Sequence, residues 1–278
     1  MHRTIALCLS LGLLLPLAAQ AQNAQIRWSA HATDRGRVQL SLTTPDNKNN
    51  QDWNPAELQG LNTRFPDGAM NFRIVRDAGV LACNGMSRSG RGEGDCRFQR
   101  EAAYFDGLAR HGVRVTSDYQ AWQLVVFDVK LALLEELRRQ QYSTTKVGDL
   151  VAAGIFGIDA AFVQALGAAG LRPQKLDELV QFRIHRITPT YIRDIRAANP
   201  RLKLDSEDLV AFGIHKVTPQ WIEGWTKLGY DLTAKQLVET RILNVSPDYA
   251  RSMLNEVRDR PTIEQFTAMR LHGVRPGR

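Results

Sequence analysis

One apolar column recurs through this chain at a spacing of about 29 residues. It runs Val129, Ile158, Ile187, Val217, Val245, Val274. A second column lies eight residues upstream, at Leu150, Leu179, Leu209, Leu237 and Phe266. Both stay apolar from unit to unit, which limits the fold to architectures built by repetition. Within a unit, Leu176, Leu179, Val180, Ile184 and Ile187 fall at spacings of three and four, the mark of one helix face. Thr188-Pro189 then reads as a new helix start: a hydroxyl as N-cap, and proline where its missing N–H costs nothing. Thr218-Pro219 and Ser246-Pro247 repeat that signal, and Asp159 caps without proline. The second helix ends at Gly170, Asn199-Pro200 or Gly229.

Helices this short are marginal alone in water. They must lie on neighbours, and stacked pairs give an α-solenoid. The expected fold class is therefore mainly α: a solenoid of helix-turn-helix repeats with a small N-terminal antiparallel β region. The expected divisions are a signal peptide over 1–22, a β-rich cap over 23–100 and helical repeats over 101–278. The last unit reads as stopping after its first helix, ahead of Pro276.

The signal peptide rests on a short basic start, an apolar run from Ile5 to Ala19, and small residues at Ala19 and Ala21. Its length is short for a membrane span. It predicts a periplasmic or secreted protein, not integral to a membrane after cleavage. The formal charge is +7, one less without Arg3. That modest basic excess, mixed with acids, reads first as a solvated surface that keeps the chain soluble, and beside that as affinity for acidic envelope surfaces, hardly nucleic acid.

Before the repeats, Ile26, Trp28 and Ala30 alternate with polar residues, as do Val38, Leu40 and Leu42. This reads as a hairpin. The polar stretch from Thr43 to Trp53 reads as a mobile loop, and Phe72 to Val75 as a strand. The glycine-rich run "GMSRSGRGEGD" lacks the lysine and the helix start of a phosphate loop. It fits a hairpin with Ser89-Gly90 at its tip. Counting outward puts Cys83 opposite Cys96 at a non-hydrogen-bonded pair, where Cα atoms come within about 4.5 Å, close enough for a disulfide.

The recurring histidines His185, His215 and His272 raise the question of a metal site. Equivalent places on stacked helices lie about 8–10 Å apart, too far to share one ion. Phe156 and Leu243 fill the same column elsewhere. The expectation is a packing position, with no metal and no cofactor. There is no G-x-S-x-G elbow, both mature cysteines are expected to be bonded, and the pairs Glu135-Glu136 and Asp177-Glu178 diverge on a helix. The reading is non-enzymatic.

The unit "DELVQFRIHRITPTYIRDIRA" resembles the repeat of secreted bacterial proteins of unknown function. It is also similar to units in the extracytoplasmic region of antirepressor-type membrane metallopeptidases of the penicillin-sensor class. "FRIVRDAG" and "GRGEGDCRF" resemble the strand region that precedes those repeats. The similarity runs from Phe72 onward. It implies fold and compartment, and no catalysis, since the H-E-x-x-H of the peptidase is missing.

The expected function is a scaffold for protein–protein interaction. The alternatives are binding to peptidoglycan or anionic lipid, or a regulatory partnership with a membrane peptidase. The candidate surface gathers Arg183, Arg186, Arg193 and Arg196 on one unit with Lys216, Trp225 and Lys227 on the next, since Arg and Trp are typical interface anchors.

Overall fold

The repeat proves to be a repeat of helix endings. In the computed structural model, which describes residues 26–45, 47–143, 146–172 and 175–277, the residue before each anchor adopts a left-handed backbone. These are Asp128, Gly157, Arg186, Lys216, Asn244 and Gly273. The anchor amide then reaches back five residues: Val129 to the Leu124 carbonyl, Ile158 to Ala153, Ile187 to Phe182, Val217 to Phe212, Val245 to Thr240 and Val274 to Met269. This is the Schellman closure, which satisfies an orphan carbonyl and packs the following apolar side chain against the helix. The expected signal peptide lies outside the described residues.

Twelve α-helices occur among those residues: α1 (Ala102–Arg110), α2 (Asp118–Val126), α3 (Leu131–Arg139), α4 (Val147–Ile155), α5 (Ala160–Ala168), α6 (Leu176–Ile184), α7 (Pro189–Ala198), α8 (Ser206–His215), α9 (Pro219–Lys227), α10 (Ala234–Ile242), α11 (Pro247–Leu254) and α12 (Ile263–Leu271). The expected caps are in place. Side chains of Asp159, Thr188, Thr218 and Ser246 accept from the amides of Phe162, Tyr191, Trp221 and Tyr249. Each such cap stabilises by about 1 kcal/mol. Even-numbered helices pack on even and odd on odd, in two rows. Leu150, Leu179, Leu209, Leu237 and Phe266 are fully buried in the even row.

Among the described residues six strands precede the helices: β1 (Ile26–Ala32), β2 (Val38–Thr43), β3 (Lys48–Trp53), β4 (Gly68–Arg76), β5 (Gly79–Arg88) and β6 (Arg91–Arg100). They form one antiparallel sheet in the order β3-β2-β1-β6-β5-β4. Its apolar face carries Trp28, Leu40, Phe72, Ile74 and Leu81, and β4 and β5 lie against α2. The helix α1 follows β6 with only Glu101 between them. The sheet thus stands where that unit's first helix would be, at the end of the even row.

These strands correct the expected fold class. Helices hold 45 % and strands 20 % of the described residues, so the architecture is α+β, a six-stranded sheet followed by helices, and not a mainly α solenoid with a small β region. The stretch expected as a loop from Thr43 to Trp53 is one only at its start: Thr44 and Asn47 close a turn, and Lys48–Trp53 pairs with β2, Trp53 opposite Val38. It escapes a hydrophobic-pattern reading because it is an edge strand with one buried side chain, Trp53.

The β5–β6 hairpin has the expected register. Ser89 and Gly90, both at positive φ, make its tip, and Cys83 faces Cys96. The two are joined in a disulfide with Cα atoms 4.0 Å apart. The glycine-rich run is a packing device. A Cβ on Gly92 would lie 2.9 Å from the ring of Trp28, so that indole requires a bare backbone beneath it.

Candidate functional site

The last residue before each first-helix ending leaves the core. Ile155, Ile184, Ile214, Ile242 and Leu271 occupy the position three before the anchor. They are 47 to 66 % exposed. The Schellman turn that buries the anchor takes these side chains off the helix end toward solvent. Ile184, expected on the buried face, is among them. Beside them sit Phe156, His185, His215, Leu243 and His272. The result is a row of aliphatic side chains, one per unit, along the edge of the even row. Its first member, Val126, is only 3 % exposed. It borders a crevice shared with Asp52, Trp53 and Arg76, beneath the sheet.

A second set of columns crosses from unit to unit. Four residues after each anchor stands an aromatic ring: Phe162, Tyr191, Trp221, Tyr249, and Tyr104 one unit before α2. Leu133 is the exception. The hydroxyls of Tyr104, Tyr191 and Tyr249 donate to the anchor carbonyls of Val129, Val217 and Val274 at 2.8, 2.5 and 3.1 Å. Burial pushes the Tyr191 hydroxyl up to about 12. Burial, then Asp77 and Asp128, push that of Tyr104 higher still. These hydroxyls are held protonated and donating, a structural role.

Four residues before the anchor stands Val125 in the first unit and then either glycine or arginine: Gly154, Arg183, Gly213, Arg241, Arg270. Each arginine covers the ring of the preceding unit. Arg183 lies 3.8 Å over Phe162, Arg241 4.5 Å over Trp221 and Arg270 5.3 Å over Tyr249. Arg183 also donates to the Gly157 carbonyl, and Arg241 to that of Lys216 at 2.9 Å. Where glycine replaces arginine the backbones approach closely and no guanidinium fills the place: a Cβ on Gly154 would lie 2.5 Å from the Phe127 carbonyl oxygen, and one on Gly213 2.8 Å from the His185 Cβ. A groove of about 670 Å³ remains beside Gly213 and a cavity of about 380 Å³ beside Gly154.

The expected interaction residues therefore divide. Arg183 is a staple between units. Arg196 is another, donating to the Ala169 and Gly170 carbonyls at the end of α5. Trp225 is 1 % exposed and packs on Tyr230 and Phe266, which corrects its reading as a surface anchor. Arg186 and Lys216 are exposed at left-handed turns flanking the aliphatic row. Arg193 is exposed and bonds Thr190, and Lys227 is exposed and pairs with Glu223 at 3.3 Å. The structure does not gather the seven into one patch.

Among the described residues no group of three or more His, Cys, Asp or Glu could hold a metal ion. His185 is half-buried at the edge of the groove beside Gly213, and its Cβ lies 2.8 Å from where a Cβ on Gly213 would be. The aliphatic row has a signal in sequence. Its five members share one offset from the anchor, but helical spacing alone places Ile184 on the core face. No described helix is by itself long and apolar enough to cross a membrane. Known protein families, curated proteins and solved structures contain no match to this chain.

Proposed function

We propose that this protein is a non-catalytic scaffold, periplasmic or secreted, that binds another protein along the row from Ile155 to Leu271. The observation that carries this is the register of the row. Five large aliphatic side chains at one structural position are each about half exposed or more. Single exposed apolar residues are ordinary, but contiguous rows mark interaction surfaces. Successive units offer these contacts at about 8–10 Å, the spacing of packed helices. The covered first position supports the same reading: beneath this protein's own sheet, Val126 is buried. A partner that laid an apolar face along the row would do the same for the rest. The disulfide supports an oxidising compartment.

The test is affinity capture from the native envelope by the wild-type chain and by a triple variant, Ile184→Ser, Ile214→Ser and Ile242→Ser. All three sites face solvent, so circular dichroism and the thermal midpoint should hold. A protein retained by the wild type and reduced about tenfold or more by the variant supports the scaffold. Equal recovery by both, or binding to anionic vesicles in place of any protein, rejects it.

A further inference from the structure

We propose that the groove between α6 and α8 is a slot for an arginine side chain supplied by the partner. The proposal deepens the scaffold reading and rests on it for the source of that arginine. Its basis is internal. In three junctions this chain fills the equivalent place with its own guanidinium, from Arg183, Arg241 and Arg270, stacked on the ring of the preceding unit. At the α6–α8 junction the ring is kept and the arginine is not.

The receiving groups are in place. Tyr191 provides the ring, and its bond to the Val217 carbonyl fixes the ring's position. The carbonyl of Arg186 is the counterpart of those of Gly157 and Lys216, which receive Arg183 and Arg241. No hydrogen bond from the described residues ends on it. The groove between them is bounded by Ile184, His185, Gly213 and Ile214, so it opens on the aliphatic row itself. A planar guanidinium can stack on a ring and donate in its own plane at the same time.

The occupant must come from outside. A Cβ on Gly213 would meet the His185 Cβ at 2.8 Å and its carbonyl oxygen at 3.0 Å, so α8 has no room for a side chain of its own there. Two cations, Arg186 and Lys216, line the rim, and both are exposed to solvent, which screens their charge. Arg241 sits in its slot with Lys216 as the very residue whose carbonyl it bonds, and Arg186 holds the same position here. The Gly154 cavity is a different case. Leu133 stands there at the position that Tyr191 holds here, and the ring that lines that cavity, Phe127, belongs to another position in the unit.

The experiment titrates the folded chain with an acetylated, amidated peptide, Ala-Ala-Arg-Ala-Ala, followed by amide chemical shifts. Peptides with citrulline or lysine in place of arginine are the comparators. The expected result is saturable shifts centred on Tyr191, Gly213 and Lys216, with citrulline binding about tenfold more weakly through loss of the cation. Tyr191→Phe should keep the response and Tyr191→Leu should lose it. Absence of saturable shifts with the arginine peptide, or equal binding of citrulline, overturns the slot. Those peptide comparisons use the wild type, so they decide the matter even if Tyr191→Leu does not fold. Peptide binding by a chain that captures no protein would keep the slot and reject the scaffold. Capture without peptide binding would do the reverse.

Discussion

Arg241 lies 4.5 Å over the ring of Trp221 while its Nε donates to the carbonyl of Lys216 at 2.9 Å. One side chain thus closes the open end of one helix and covers the aromatic residue of the next. Arg241→Ala should lower stability by about 1–2 kcal/mol, the sum of a partly buried cation–π contact and one hydrogen bond. Arg193→Ala, which removes only a surface contact to Thr190, should change it by less than about 0.5 kcal/mol. Urea midpoints of the two variants decide this.

The left-handed residues give a prediction of opposite sign. Arg186 and Lys216 have φ of 58° and 56°, a region that costs a side chain roughly 1 kcal/mol and glycine almost nothing. Arg186→Gly and Lys216→Gly should each raise the unfolding free energy by about 0.5–1 kcal/mol, even after the looser unfolded chain is counted. Lower midpoints in both would show that these side chains stabilise the fold in a way the geometry does not reveal.

Trp225 should behave as a core residue. Trp225→Ala should cost about 3–5 kcal/mol. Its indole nitrogen is buried without a partner, so Trp225→Phe should cost clearly less. Denaturation of both variants, read by far-ultraviolet circular dichroism, separates this from a surface role, which would leave stability unchanged.

The disulfide closes a short loop, with a sequence separation of 13. Replacing both cysteines by serine should lower stability by about 2–3 kcal/mol. Mass spectrometry of the unreduced protein should show a Cys83–Cys96 peptide. Two free thiols would contradict the hairpin register.

Alkaline pH should unfold the chain. The Tyr191 hydroxyl titrates near 12 when folded, against an ordinary value of 10, and that of Tyr104 is raised further. The unfolded chain therefore gives up these protons first. Stability is complete below about pH 10 and falls as pH rises through the folded values. Tyrosinate absorbance should rise together with loss of helix between about pH 10 and 12. Smooth ionisation with the helices intact would mean that the tyrosines are accessible.

The parts legible in the sequence are those in which one residue type does one local job. Thr188 and Ser246 cap because a hydroxyl before proline has few other uses. Cys83 and Cys96 pair because strand register is arithmetic. The anchors Ile187 and Val217 stand out because a Schellman ending needs an apolar residue after the turn. The turn residue itself does not stand out, since Asp128, Arg186, Lys216 and Asn244 share only a backbone angle. Spacing misplaces Ile184 because the helix ends beneath it, and a period says nothing of where a face stops. Arg183 and Arg196 read as surface charge because their acceptors, Gly157 and Ala169, belong to the preceding unit. Lys48–Trp53 goes unseen because an edge strand takes its hydrogen bonds from a neighbour and needs little apolar pattern of its own.

The sheet that stands in for a first helix also gives the molecule a mechanical direction. Each helix leans mainly on the members of its own row, so a load pulling at Leu271 meets one small barrier at a time. The rows would peel from that end in short steps. The peeling would slow at the strands, where six are paired in one sheet and the Cys83–Cys96 link stops the β5–β6 hairpin from extending fully.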